Sequence, residues 1–160
     1  MRIVLMSDSH GNYAAINNIV KRNPSADLFI HLGDGERELD SIATQYPNLQ
    51  FYHVKGNCDL ASFSQSVLVL SLENSHKLVA THGHEFNVKY SLDRLKKLAI
   101  ENNADIIAFG HTHVRYTNYE NGLYVINPGS ASCPRDGKSP SYAFIDITDA
   151  GIATNIVSLI

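Results

Sequence analysis

The stretch Ile3-Val4-Leu5-Met6-Ser7-Asp8-Ser9-His10 passes from four apolar residues to Asp and His within eight positions. The same change recurs at four later places. They are Leu28-Phe29-Ile30 before Gly33-Asp34, Phe51-Tyr52-His53-Val54 before Gly56-Asn57-Cys58-Asp59, Leu78-Val79-Ala80 before His82-Gly83-His84, and Ile106-Ile107-Ala108-Phe109 before Gly110-His111-Thr112-His113. Continuous apolar runs bounded by Gly or turn residues are typical of buried parallel strands. Because ligands of open α/β sheets bind beyond the carboxyl ends of the strands, five such strands in one sheet would bring all five motifs together at one edge.

Helices are predicted between these strands. Apolar residues at helical spacing indicate helices over 12–22, 36–46 and 91–103. In the third, Ser91 is a candidate N-cap and Asp93 lies in the first turn, where a carboxylate is favourable. The strand-helix-strand-helix-strand opening favours a parallel sheet.

Strands separated by turns dominate the second half of the chain. They are predicted over Ser64–Leu72, Val114–Tyr119, Leu123–Ile126, Ser141–Ile147 and Ile152–Ser158. The Val67–Leu70 run leaves no polar face, and the Asn121-Gly122 pair is typical of a hairpin turn. We therefore expect an α/β fold in one domain over residues 1–160, with two mixed β-sheets packed face to face and helices outside.

Composition narrows the class of protein. Hydrophobic residues make up 44% of the 160 residues and charged residues 18%, as in a soluble globular domain. The net charge of −3 gives no reason to expect binding to nucleic acid or to an anionic membrane. No segment approaches the roughly 20 apolar residues of a membrane-spanning helix. Because the apolar run at the N-terminus stops at Asp8, we expect a strand there and no signal peptide. Two cysteines, Cys58 and Cys133, form no disulfide framework, which favours a cytoplasmic protein.

Seven residues of the five motifs carry side chains that ligate metals. They are Asp8, His10, Asp34, Asn57, His82, His111 and His113. Seven donors are too many for one tetrahedral ion and suit two ions that share a carboxylate. The mixture of nitrogen and oxygen donors without an obligatory thiolate favours Mn, Fe, Zn, Ni or Co over Ca or a thiolate-rich zinc site. Two such ions could hold a hydroxide at neutral pH and stabilise an in-line displacement at phosphorus.

The ordered series of motifs from Asp8-Ser9-His10 to Gly110-His111-Thr112-His113 resembles the calcineurin-like metallophosphoesterase superfamily. Within it, the chain is similar to the small bacterial and archaeal phosphodiesterases, which are relatives of the small retromer subunit of eukaryotes. The Asn127-Pro128-Gly129-Ser130 turn and the Ser141–Ile147 strand extend the resemblance over nearly the whole chain. The resemblance implies a four-layer sandwich of two mixed β-sheets flanked by helices.

The resemblance also implies a ligand set and a reaction. Asp8, His10, Asp34 and His113 would surround one ion, and Asp34, Asn57, His82 and His111 the other, with Asp34 bridging. The expected activity is hydrolysis of a small-molecule phosphodiester by a hydroxide that bridges two divalent ions. We expect Mn first, with Ni, Zn or Fe as alternatives. The expected catalytic residues are Asp34, Asn57, Cys58, Asp59 and His84.

Cys58 departs from the pattern of many family members, which have a His after the Gly-Asn pair that is thought to protonate the leaving oxygen. A thiol with a pKa of about 8.5 is a poor substitute for an imidazole acid. We therefore expect substrates whose leaving groups need little protonation.

Several residues keep two interpretations. His84 could contact the bound phosphate or support His82, and Asp59 could orient the site or cap a turn. Asn12 could cap the first helix or face the metals. Arg135 and Lys138 could be solvated or bind a substrate phosphate.

Other functions also stay open from the sequence. One is a phosphomonoesterase or nucleotide phosphatase. Another is a protein-binding scaffold with vestigial activity, as in the related retromer subunit. The competence of all seven ligand positions favours an enzyme. Edge strands near the C-terminus could pair between the subunits of a homo-oligomer.

Overall fold

Two five-stranded sheets form the centre of the protein. The structure, a computed structural model, describes residues 1–159. The strands within this range are β1 (Arg2–Met6), β2 (Leu28–His31), β3 (Phe51–His53), β4 (Val67–Ser71), β5 (Lys77–Thr81), β6 (Ile106–Phe109), β7 (Arg115–Glu120), β8 (Leu123–Pro128), β9 (Ser141–Thr148) and β10 (Gly151–Ser158). The helices are α1 (Tyr13–Arg22), α2 (Glu36–Gln45) and α3 (Asp93–Glu101), with short 3₁₀ helices at Glu73–Ser75 and His84–Phe86.

Each sheet mixes parallel and antiparallel pairs. The first has the strand order β10-β9-β1-β2-β3, and the second has the order β4-β5-β6-β8-β7. Strands β1, β2 and β3 are parallel, as the alternating opening predicted. Strands β5, β6 and β8 are likewise parallel. All five strands that precede the motifs are therefore in parallel ladders.

Successive residues of the central strands point to two different cores. In β1, Ile3 and Leu5 lie in a core that both sheets share, whereas Val4 and Met6 pack with α1 and α2. Helix α3 covers the outer face of the second sheet, where Leu95 packs with that sheet's apolar residues. This arrangement is a four-layer sandwich, and the predicted fold is confirmed. Burial on both faces explains why these strands contain so few polar residues.

The motif-bearing strands do not share a single sheet. Strands β1, β2 and β3 belong to one sheet, and β5 and β6 to the other. Periodicity shows that a strand is buried but carries no information about which sheet it joins. The motifs still meet, because the carboxyl ends of both parallel sets lie at the same end of the sandwich.

Two local expectations were wrong. Leu92, not Ser91, occupies the N-cap of α3, although the Ser91 hydroxyl accepts a hydrogen bond from Asp93 N at 3.1 Å. Strand β4 starts only at Val67, and Val69 is 43% exposed. Because β4 is at the edge of its sheet, one face lacks the cover that its apolar sequence suggested.

Other local predictions are confirmed. The Asn12 side chain caps α1 by accepting a hydrogen bond from Ala15 N at 3.0 Å. Asn121 and Gly122 connect antiparallel β7 and β8, with φ of 51° and 80°.

No helix among residues 1–159 is long and apolar enough to cross a membrane. The single domain over residues 1–160, the cytoplasmic location and the homo-oligomer stay predictions.

Candidate metal centre

The loops that follow five strands bring the candidate ligands together. Asp8 and His10 follow β1, and Asp34 follows β2. Ligand atoms of Asp8, His10 and His113 lie within 4.8 Å of one another, as do those of Asp8, Asp34 and His82. Ligand atoms of His10, Asp34 and Cys58 form a third such cluster, so the three clusters overlap at Asp8, His10 and Asp34.

Asp8 is fully buried at the centre of the cluster. Its Oδ2 accepts hydrogen bonds from Ser7 Oγ at 2.6 Å and from His111 N at 3.1 Å. Among the described residues, its Oδ1 has no hydrogen-bond partner. Burial opposes ionisation, but the close approach of His113 Nε2, 3.2 Å from Oδ1, and the charge of His82 outweigh it and hold the pKa of Asp8 below its usual value. A buried carboxylate oxygen without a donor is an expected position for a cation.

Asp34 lies between the two groups of histidines. Its Oδ2 is 3.4 Å from His82 Nε2 and 4.0 Å from His10 Nε2. Its Oδ1 accepts a hydrogen bond from Cys58 N at 2.7 Å. Burial opposes ionisation here too, but the interactions with His82 and Cys58 hold the pKa of Asp34 well below its usual range. This carboxylate is therefore ionised and faces both sides of the site.

The orientations of His82 and His113 are set by their outer nitrogens. His82 Nδ1 donates to the Leu32 carbonyl at 2.6 Å, and His113 Nδ1 donates to the Cys133 carbonyl at 2.7 Å. Such bonds place the proton on Nδ1 and direct Nε2 into the site. Burial lowers the pKa of His82, but the carboxylates of Asp34 and Asp8 outweigh burial, so the pKa is raised overall. The interaction with Asp8 likewise raises the pKa of His113.

The inward nitrogens face oxygen atoms that can only accept hydrogen bonds. His82 Nε2 is 3.1 Å from Asn57 Oδ1, and His113 Nε2 is 3.2 Å from Asp8 Oδ1. In a neutral imidazole with its proton on Nδ1, Nε2 carries a lone pair, which repels an acceptor oxygen. The contact is favourable only if Nε2 is also protonated or if a cation lies between the nitrogen and the oxygen. The donor set and its geometry therefore fit divalent metal ions.

His10 and His111 complete the candidate set. His10 Nε2 is 3.2 Å from His113 Nε2, a contact between two potential ligand nitrogens. The His111 ring lies 5.0 Å from that of His82. Burial, together with the charge of His82, lowers the pKa of His111 to about 4. A neutral imidazole is the form that binds a metal.

Five of the seven candidate ligands have a left-handed backbone. They are Asp8 (φ 53°), His10 (φ 45°), Asp34 (φ 58°), His111 (φ 66°) and His113 (φ 59°). Positive φ is uncommon for residues with a side chain and is concentrated at functional sites. The sharp turns let consecutive loop residues point toward one centre.

Two glycines allow the loops to approach each other. A Cβ on Gly56 would lie 2.0 Å from Asp34 Oδ1, and a Cβ on Gly33 would lie 2.6 Å from His82 Nδ1. Gly33 also has φ of 98°, which other residues rarely adopt. Glycine at these motif positions is therefore a packing requirement of the site.

Asp59 connects two of the loops. Its Oδ2 accepts from Asp34 N and Gly56 N, each at 2.8 Å. Its Oδ1 accepts from Gly35 N at 3.1 Å and Glu36 N at 3.2 Å, at the start of α2. Of the two interpretations of Asp59, orientation of the site is the one that this geometry favours, since the carboxylate fixes the backbone of Asp34.

Cys58 and His84 lie at the edge of the centre. Burial and the carboxylate of Asp34 raise the pKa of the Cys58 thiol to about 11. The His84 ring is 5.3 Å from that of His82, and its buried Nδ1 has no hydrogen-bond partner among the described residues. Burial and the charge of His82 lower the pKa of His84.

Sequence reasoning missed a buried network behind the centre. His31 Nδ1 accepts from Gly33 N at 3.2 Å, and its Nε2 lies 2.9 Å from Ser9 Oγ, which donates to Glu38 Oε1 at 2.7 Å. Glu38 also accepts from Gly11 N at 2.6 Å. A lone Glu on a helix resembles any solvated residue, so only its burial reveals this role.

Known proteins share both the sequence pattern and the structure. The profile of the calcineurin-like phosphoesterase superfamily domain matches residues 1–150. The probable metallophosphoesterase YsnB of Bacillus subtilis is 39% identical over 149 residues, which cover 92% of this chain and 85% of the relative. Phosphodiesterase YfcE of Escherichia coli is 25% identical over 169 residues, covering 91% and 88%.

Solved structures of other proteins are similar to this fold. The crystal structure of a conserved uncharacterised protein of Streptococcus pneumoniae TIGR4, a predicted phosphoesterase, has a TM-score of 0.86 and 32% identity, covering 98% of this chain and 88% of that one. Wild-type Vps29 of Entamoeba histolytica in complex with zinc has a TM-score of 0.75 and 22% identity, covering 98% of each chain, and so shares the fold. With its ordered motifs, its four layers and these matches, the chain belongs to the calcineurin-like phosphoesterase superfamily.

Proposed function

We propose that this protein is a dinuclear metal-dependent phosphodiesterase that hydrolyses a small-molecule phosphodiester. The observation that carries the proposal is the position of Asp34, whose Oδ2 faces His82 on one side and His10 on the other. A carboxylate that faces two sets of imidazoles is suited to joining two ions. The similarity to a relative named as a phosphodiesterase supports the choice of substrate class.

The proposed ligands divide into two sets. One ion would be held by Asp8, His10, Asp34 and His113, and the other by Asp34, Asn57, His82 and His111. When bound, the ions would supply a nucleophilic hydroxide between them at neutral pH and stabilise charge on the phosphate oxygens. Manganese is our first expectation, because oxygen and imidazole ligands without thiolate suit it; Ni, Zn and Fe remain alternatives.

The chain's own residues orient these ligands. Asp59 and Gly56 fix the backbone around Asp34, and the Leu32 and Cys133 carbonyls keep the proton of His82 and His113 on Nδ1. The His84 ring lies 5.3 Å from that of His82, and we propose that His84 contacts the substrate phosphate or supports His82.

Cys58 is proposed to limit the range of leaving groups. A thiol with an ordinary pKa of about 8.5 is mostly protonated at neutral pH but is a poor substitute for an imidazole acid. Proton transfer is most efficient when the pKa of the acid is near the working pH. We therefore expect aryl esters and other good leaving groups to react faster than alkyl esters.

The test combines metal analysis with activity. Purified protein loaded with Mn²⁺ should bind two ions per chain and hydrolyse bis(4-nitrophenyl) phosphate faster than 4-nitrophenyl phosphate. Asp34→Asn should lose both metal and turnover, whereas Asp149→Asn, in the exposed turn before β10, should lose neither. Undiminished turnover by Asp34→Asn would refute the dinuclear site. Faster hydrolysis of the monoester would identify a phosphomonoesterase, and metal binding without hydrolysis of either ester would favour a scaffold.

A further inference from the structure

A cleft of about 880 Å³ opens beside the metal centre. One end contains His10, Asp34 and Cys58, which belong to the centre. The cleft then extends between the first turns of α2 and the loop over residues 59–64, which we call the cleft loop. A phosphate at the metals would therefore direct one of its substituents into this space.

The cleft loop presents two large apolar side chains to solvent. Leu60 is 89% exposed and Phe63 is 105% exposed, and both line the cleft. Exposed apolar groups of this size gain free energy when a ligand removes them from water. Apolar surface that is exposed within a groove and rimmed by polar residues can mark a ligand site.

The backbone of the cleft loop is held in place while these side chains remain free. Leu60 N donates to the Cys58 carbonyl at 3.0 Å, and Ser62 N donates to the Asp59 carbonyl at 3.1 Å. Lys55 Nζ donates to the Ser62 carbonyl at 3.2 Å. Ser64 Oγ donates to Glu36 Oε1 at 2.8 Å, which connects the loop to α2. A fixed backbone lowers the entropy cost of binding an occupant.

The charges around the cleft disfavour an anionic occupant. Beyond the metal centre and Asp59, its wall contains the carboxylates of Glu36, Asp40 and the buried Glu38. These three outnumber the two nearby cations, the guanidinium of Arg37 in the wall and the ammonium of Lys55 behind the cleft loop. The exposed cations Lys89 and Arg135 line a separate groove instead. Electrostatic complementarity therefore assigns uncharged or cationic groups to this cleft.

We propose that the cleft binds an uncharged or cationic aromatic substituent of the phosphodiester, with its ring against Phe63 and Leu60. This inference rests on the proposed function, because it assumes that the phosphate is held at the metals. It selects substrates with an aromatic alcohol or a base-like ring over those that carry a further phosphate or carboxylate on that side.

The test measures binding by calorimetry on the Mn²⁺-loaded protein, so it does not depend on turnover. Phenylphosphonate and methylphosphonate have the same metal-binding group and differ in the ring. We expect the phenyl compound to bind about tenfold tighter, as burial of a ring predicts. Phe63→Ala should reduce that ratio to near one. Tyr90→Ala is the matched control, because Tyr90 is 91% exposed and lies outside the cleft, and it should keep the ratio.

The preference of the cleft for groups without negative charge is tested by comparing two phosphonates that differ in one carboxylate. 4-Carboxyphenylphosphonate should bind more weakly than phenylphosphonate, and Asp40→Asn should reduce the difference. An unchanged phenyl-to-methyl ratio in Phe63→Ala, or tighter binding of the carboxylate compound, would overturn the inference while leaving the metal centre intact. Failure of every phosphonate to bind the loaded protein would refute the proposed function and this inference together.

Discussion

Removal of the Asp59 carboxylate should loosen the metal centre without touching any proposed ligand. The carboxylate accepts four backbone hydrogen bonds, from Asp34, Gly35, Glu36 and Gly56. A hydrogen bond contributes about 1 kcal/mol net, and a carboxylate at a helix N-terminus adds about 0.5 kcal/mol. Because water can replace part of these bonds at a half-buried position, we expect Asp59→Ala to lower the free energy of unfolding by about 3 kcal/mol.

Asp59→Asn should lower the free energy of unfolding by less than Asp59→Ala, because only one of the two accepting oxygens is lost. Each carboxylate oxygen serves two N–H donors, so the amide keeps one accepting oxygen and turns an NH₂ group toward the other pair. The expected loss is about 1–2 kcal/mol. Asp149→Ala, at an exposed turn, should change stability by less than about 0.5 kcal/mol.

The assay separates folding from metal binding. Thermal unfolding with a chelator present should show Asp59→Ala melting roughly 6–12 °C below wild type, since 1 kcal/mol corresponds to about 2–4 °C at this size. Titration with Mn²⁺ should then show weaker binding, because Asp34 N has lost its anchor. A variant that melts within about 2 °C of wild type and binds Mn²⁺ equally well would refute the positioning role of Asp59.

Two further predictions address acid catalysis and pH. Cys58→His should raise the rate on diesters with poor leaving groups, because imidazole is a better acid near neutral pH than a thiol. The ratio of alkyl to aryl ester rates measures this effect. An unchanged ratio would show that leaving-group protonation is not limiting. The hydrogen bond from Arg2 lowers the pKa of Asp146 in the folded protein. The ion pair therefore stabilises the folded state at pH values above the unfolded pKa of Asp146, and this stabilisation is lost as the pH falls through the folded pKa. Asp146→Asn should therefore cost up to about 1 kcal/mol at pH 7 and nothing in strong acid, as denaturant unfolding at the two pH values would show.

Local patterns predicted the elements because both faces of the central strands are buried. Ile3 and Val4 point to different cores, yet each must be apolar, and the resulting run is visible in the sequence. The edge strand β4 shows the limit of this reasoning. Its apolar run looked equally buried, but Val69 is 43% exposed, and α3 packs mainly on β5 and β6 rather than on this edge strand.

The candidate ligands were also visible in the sequence, because each lies within four residues of the end of a strand and five of the seven are next to a glycine. Their supporting residues were not. Glu38 lies on a helix and is connected to the centre through Ser9, and the Cys133 carbonyl that orients His113 has no side-chain pattern at all. Supporting groups of this kind, a backbone carbonyl or a buried side chain behind a ligand, can be identified only from the folded positions of the loops.

The sequence by itself determined which side chains could bind metal, because an Asp, Asn or His at the end of an apolar run is a local feature. Tertiary structure alone decided that β1, β2 and β3 join one sheet while β5 and β6 join another, since strand pairing is a contact between distant residues. It also decided that Phe63 stands in solvent beside Asp34, because exposure depends on what the rest of the chain leaves uncovered.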